Sequence, residues 1–266
     1  MTFEQYYELF RKNDWLIILP MLFVAAYYLL KWKREARRER NEILKIRETT
    51  GDKFHQSYSE KIEYFVNETP SAPIAFGRKA TWLAIKTEDA ESVAAQFAKP
   101  GKKQFKTNVE SGIQGAFAQY LFVLPPIQNW VLVVGHGLDL QNQQQFDKFL
   151  EMSRLYGEVQ FYGSFRGVNY SAWGRFVNGE VLRAYSVADG EVYYDAGAMT
   201  EMENTFVQEE MDRAIDDDER NWIATEGKLH CISSEENVSR MAAYWSIDPQ
   251  KLENYPVLGL GTIMED

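Results

Sequence analysis

Reactive side chains are scarce in this chain: three histidines (His55, His136 and His230) and one cysteine, Cys231. None of the histidines has a second His or Cys at the i+3 or i+4 spacing that sets two metal ligands on one helix face. His230 and Cys231 are neighbours, so on a strand they would point to opposite faces. A Cys/His nucleophile pair would have to be assembled across space, and a buried, inert thiol is the simpler expectation. Gly135-His136-Gly137 follows an apolar run but lacks the spacing of a phosphate-binding Gly-x-Gly-x-x-Gly turn. Gly259-Leu260-Gly261 stands too near the end of the chain to open a crossover unit. No Gly-x-Ser-x-Gly elbow or Walker sequence occurs. A dispersed hydrolase site drawing on His136, Asp139 or Cys231 is the enzymatic alternative. No cofactor and no metal site is expected.

The densest chemistry is acidic. Glu201 to Arg220 holds nine carboxylates (Glu201, Glu203, Glu209, Glu210, Asp212, Asp216, Asp217, Asp218 and Glu219) against two arginines. Acid–base catalysis needs two carboxylates in different environments, so that their pKa values separate; adjacent acids in a polar run do not supply that. They also lack the spaced acids and glycine turn of a calcium loop. What such a run can do is attract and steer a basic partner. Trp222 and the nearby Phe206, Tyr244 and Trp245 could anchor one, since aromatic hot spots inside a charged rim are a common interface arrangement. Glu209, Glu210, Asp216, Asp217, Asp218 and Trp222 are therefore the candidate partner-binding residues. Solubility and core packing are the competing readings, and packing is the stronger one for Trp173.

The elements that must position these residues read as α+β. Ala80 to Lys86 is a strand, followed by a helix over about 88–98 that ends at Lys99-Pro100-Gly101. Ser111 to Gln119 reads as a second helix. Tyr120 to Leu124 and Trp130 to Val134 form a hairpin with a longer loop, and Asn142 to Leu155 is a helix with Phe146, Phe149 and Leu150 on one face. Asn178-Gly179 and Asp189-Gly190 are both type I′ turn dipeptides. With the run from Glu158 to Phe165 they predict a four-stranded antiparallel meander, one face of it covered by the helices at 88–98 and 143–155. Ser233 and Glu236 have capping-box spacing before a helix over Val238 to Trp245, which Asp248-Pro249 ends.

Residues 1–50 carry ten of the 29 Lys/Arg and seven of the 39 Asp/Glu, leaving 19 and 32 for residues 51–266. The first part is thus +3 and the rest −13. A net charge of −10 argues against a general nucleic-acid binder. From Trp15 to Leu30 the chain runs 16 residues without a charge (WLIILPMLFVAAYYLL). As a helix it would rise roughly 24 Å. The hydrocarbon core is about 30 Å thick, and the gap would be closed by Trp15, Tyr27, Tyr28 and Trp32 at the interfaces and by Lys31 and Lys33 snorkelling. The expected layout is a short tail (1–14), a transmembrane helix (15–32), a basic juxtamembrane helix and linker (33–69) and an acidic domain (70–266). Six Lys/Arg between Lys31 and Arg40, against Arg11 and Lys12 before the helix, place the C-terminal side in the cytoplasm. A bacterial inner membrane protein with a single pass, bound to the bilayer, is the expectation.

Several stretches resemble a family of uncharacterised bacterial proteins over about 81–262. They are Trp82–Thr87 (WLAIKT), Ser92–Ala95, Pro125-Pro126, Trp130–Gly135 (WVLVVG), Tyr156–Tyr162 (YGEVQFY), Trp173, Arg183–Tyr185, Met241 and Tyr244–Pro249 (YWSIDP). The resemblance implies a link with immunity or accessory genes beside secreted toxins, and brings no catalytic residues. The expected function is a membrane-anchored, non-catalytic protein-binding module that neutralises a toxin. A structural component of the bacterial envelope, self-associating as a homo-oligomer, is the alternative.

Overall fold

A computed structural model describes residues 61–257 and 259–265. Within them, nine strands form one antiparallel sheet, accompanied by seven α-helices. The strands are β1 (Ala80–Lys86), β2 (Gln104–Thr107), β3 (Leu121–Val123), β4 (Trp130–Val134), β5 (Glu158–Phe165), β6 (Tyr170–Val177), β7 (Glu180–Ala188), β8 (Glu191–Ala196) and β9 (Gly261–Met264). Their order is β2-β9-β3-β4-β1-β5-β6-β7-β8. The helices are α1 (Ala90–Phe97), α2 (Val109–Phe117), α3 (Gln143–Tyr156), α4 (Glu201–Arg213), α5 (Asp217–Trp222), α6 (Lys228–Cys231) and α7 (Glu235–Trp245).

The meander is β5 to β8, each strand paired with the next. Both of its Gly turns take the left-handed backbone that a type I′ hairpin requires: φ is 51° and 84° at Asn178 and Gly179, and 49° and 77° at Asp189 and Gly190. Two side-chain periods run through the central strands. Trp82 and Ala84 face one side of β1, and Leu83 and Ile85 the other. All four are buried, so the sheet is a middle layer with a core on each face.

On one face, α1 and α3 pack Val93, Phe97, Phe149 and Met152 against Val131, Val133, Phe161 and Phe176. Of the two helices expected to cover the meander, α3 lies against β5 and β6, whereas α1 lies against β3 and β9, outside it. The opposite face is also covered, by α2, α4 and α7, which bring Ile113, Phe206, Val207, Val238 and Met241 onto Trp82, Tyr162, Trp173 and Tyr185. Burying a side chain such as Phe161 contributes about 1.5–3 kcal/mol, so the aromatic content of both layers accounts for much of the cohesion. The packed unit begins before residue 70, because Ile62 and Phe65 of a 3-10 turn lie in the core.

Local signals differ from expectation in three places. Helix α1 starts at Ala90 rather than 88, because Asp89 caps it, its carboxylate accepting from Ser92 N at 2.9 Å. Ser234, not Ser233, caps α7, accepting from Asn237 N, so position N3 is an amide and the expected capping box with Glu236 is absent. The capping box falls instead at Thr200 and Glu203, at the start of α4. Helix α7 ends at Trp245, and Asp248 caps a following 3-10 turn.

The proposed membrane anchor (Trp15, Tyr27, Tyr28, Lys31, Trp32 and Lys33) lies outside the described residues. Among the described residues no helix is long and apolar enough to cross a membrane.

Candidate protein-binding surface

Helix α4 is tied down at its first turn. Thr200 Oγ1 accepts from Glu203 N at 3.2 Å, and Glu203 Oε2 accepts from Thr200 N at 2.7 Å. The Glu203 carboxylate is fully buried and also receives Trp173 Nε1 at 3.0 Å and Arg183 Nε at 2.8 Å. Arg183, itself buried, donates through Nη1 to Asp195 at 2.6 Å. Burial works against the guanidinium's charge, yet Glu203 and Asp195 hold its pKa above the ordinary arginine value. Glu203 thus belongs to the fold's interior, although Glu201 before it is exposed, and Trp173 is a core residue, as its place in the meander suggests.

One to two turns on, Glu209 and Glu210 are half-buried and paired. Glu209 binds Arg240 of α7 through two hydrogen bonds of 2.6 and 2.7 Å, a fork-to-fork geometry that fixes α4 against α7. The hydrogen bond to Arg240 holds the Glu209 carboxyl below the usual carboxylate range. Glu210 bonds Arg213. Arg166, across the cleft, bonds Glu235. These pairs line a cleft of about 420 Å³ between the β5–β6 turn and the start of α7, with Asn169, Ser234 and Asn237 also on its walls. Its three arginines each have a carboxylate partner, so the cleft neutralises its own charge.

Beyond Ala214 the chain leaves the helix with ψ of 133°, and the next residues face outward. Ile215 is 92% exposed. Asp216 caps α5 by accepting from Glu219 N at 2.8 Å, and Glu219 returns the bond to Ile215 N at 2.8 Å. Asp217 and Asp218 occupy the first turn of α5, where carboxylates favour the positive end of the helix. Asp217 meets Arg220 at 3.0 Å, and Asp218 makes no hydrogen bond or ion pair among the described residues. Four acids against Arg220 leave this outer turn negative.

Trp222 closes α5 and is 46% exposed. One side of the indole lies over Gly227 in the π-turn Ile223–Gly227: a Cβ built there would sit 2.5 Å from the ring. The ring also stacks on His230, centroids 6.4 Å apart and planes 23° off parallel. The π-turn thus holds the tryptophan in place, with half of it open to solvent beside the carboxylates.

The six expected partner residues therefore fall into two groups. Glu209 and Glu210 belong to the α4–α7 ion-pair cluster; Asp216, Asp217, Asp218 and Trp222 share the outer face of α5. Ile215 belongs with the second group. Its signal in the sequence was an isolated aliphatic residue followed by three aspartates, which the charge around it obscured.

The residues of the hydrolase alternative are not brought together. The His136 ring lies between Phe117 and Phe165, and burial lowers its pKa below the ordinary 6.5. Asp139 accepts from Gln141 N within its own loop. Cys231 sits on α6, its thiol donating to Lys228 O and pushed up to about 11 by burial and by Glu210, a poor setting for a thiolate. Among the described residues no group of three or more His, Cys, Asp or Glu is placed to hold a metal ion. No family model, curated protein or solved structure matches the chain.

Proposed function

We propose that this protein is a non-catalytic protein-binding module, tethered to the membrane by residues 15–32, which captures a basic partner on the outer face of α5. The observation that carries the reading is the pairing of two exposed apolar side chains, Ile215 and Trp222, with carboxylates that internal cations leave largely unbalanced. Apolar anchors supply the slow dissociation of an interface, while surrounding charge raises the encounter rate. The held ring of Trp222 suits such a role, because a side chain already fixed loses little freedom on binding. The narrower reading, an immunity protein that neutralises a secreted bacterial toxin, rests on the family resemblance. So does the placement of the domain at the cytoplasmic side of an inner membrane on the flanking lysines and arginines.

The test is affinity capture of full-length protein from detergent-solubilised membranes, with Ile215→Asp and Trp222→Ala compared with wild type at low and high salt. Loss of one basic protein in both variants, together with its release from wild type by salt, supports the proposal. Equal recovery of the same proteins by all three would remove it.

A further inference from the structure

Asn178-Gly179 is the only Asn-Gly pair in the chain, and the pair has a reactivity of its own. Glycine places no side chain beside its nitrogen, so that nitrogen can attack the carboxamide carbon, Cγ, of the preceding asparagine. The N–Cγ bond forms, the Cγ–Nδ2 bond breaks, and the amide leaves as ammonia, taking up the proton of the glycine nitrogen. Water then opens the five-membered imide at either carbonyl, which leaves aspartate or isoaspartate. Asn178 is exposed to that water, and its carboxamide makes no hydrogen bond among the described residues.

The fold holds the attacking nitrogen away from this reaction. Gly179 N donates to Ser153 Oγ at 2.8 Å. Ser153 is fully buried near the end of α3, and its hydroxyl donates to Leu150 O at 2.8 Å. With its single proton committed there, the hydroxyl meets Gly179 as an acceptor only. Asn178 N donates to Gly157 O at 2.9 Å, and Gly157 is the residue that ends α3. Both amides of the turn are therefore tied to one helix end. The Arg154 side chain lies across Gly179, in the space that a Cβ would need. Behind the turn, Val177 pairs with Glu180.

We infer that Asn178 is a latent deamidation site, held unreacted by the end of α3 through Ser153 and Gly157. Ring closure requires the Gly179 nitrogen to give up its proton and to swing from Ser153 toward Cγ. Both movements break a partly buried hydrogen bond, and a two-residue turn has no slack to replace it. The clamp protects the register of the sheet. Isoaspartate would insert one more backbone carbon into a loop whose length sets the pairing of β6 with β7. That pairing aligns Trp173 with Tyr185 and carries Arg183, the buried partner of Glu203.

The test follows conversion of Asn178 by peptide mass spectrometry, using full-length protein kept in mildly alkaline buffer with and without urea. Folded wild type should convert at least about tenfold more slowly than the unfolded chain, as two lost hydrogen bonds imply. Folded Ser153→Ala should convert about fivefold faster than folded wild type, as one lost bond implies. Ser153→Cys, which keeps the shape with a weaker acceptor, should fall between them. A urea transition recorded for each variant identifies which of them fold, and the comparison is made on those. Equal rates in folded and unfolded wild type would overturn the inference, because the fold would then offer no protection. Slow conversion in folded wild type with the same slow rate in a folded Ser153 variant would overturn it too, because protection would not come from this clamp.

Discussion

Glu203 and Asp218 belong to one acidic run, yet the structure gives them opposite work. Glu203 is fully buried and receives donors from Trp173, Arg183 and the Thr200 backbone, so its charge is used up inside the fold. Asp218 stands in solvent with no partner among the described residues. The comparison teaches that a carboxylate run is not one functional unit: the residues facing the sheet stabilise it, and those past the end of α4 are left to meet something else.

The sharpest way to break this contrast is to remove the buried member. Glu203→Ala would strip Arg183 of its buried carboxylate and leave it the half-exposed Asp195, and removing one partner of a buried pair costs about 3–5 kcal/mol. A urea melt of the variant should show that loss, and an unchanged midpoint would mean the cluster is not the structural element described. Next in size is Gly227→Ala. Its new Cβ would press on the Trp222 ring, and such overpacking costs about 1–3 kcal/mol unless the ring moves. We expect a lower urea midpoint and faster quenching of tryptophan fluorescence by acrylamide; unchanged values in both would show that the π-turn does not hold the indole.

The exposed member should behave in the opposite way. Asp217→Lys with Asp218→Lys removes two first-turn acids, worth about 0.3–1 kcal/mol each at low salt. Asp216 is best kept, or changed to Asn, because it caps α5. Near-native stability with lost partner capture would sharpen the contrast, and a loss as large as that of Glu203→Ala would erase it. The smallest expected effect is at His136. Its pKa in the fold is below the ordinary 6.5, so the unfolded chain takes up more protons as pH falls. Its stability contribution is therefore complete above about pH 6.5 and lost as pH falls through the folded value. His136→Phe should flatten that acid limb in urea melts at about pH 7.5 and 5, and an identical slope in both proteins would contradict it.

Much of the fold could be read from local signals. Asn178-Gly179 and Asp189-Gly190 force left-handed backbone, and that alone set the meander's turns. Ala80–Lys86 is buried until its last residue and apolar there except for Thr81, whose hydroxyl donates to Gly135 O, because both faces of the strand are covered. Strands β2 and β9 were not legible. Each has four residues, and β9 enters the sheet between β2 and β3 from the far end of the chain, a pairing no local pattern encodes. The acidic surface was legible as charge but not as geometry. Glu203 and Asp218 are both acids in polar surroundings, and only the packing of α4 onto Trp173 separates them. Ile215 was hidden for the same reason, since the exposure of an aliphatic side chain is a property of where the helix stops.

The most direct measurement is photo-crosslinking in living cells, with a photoreactive amino acid at Ile215 and, as control, at Leu155, which is 61% exposed on α3. The account predicts an adduct with one basic protein from position 215, absent from position 155 and lost with Asp217→Lys/Asp218→Lys. No adduct at 215, or the same adducts from both positions, would contradict it.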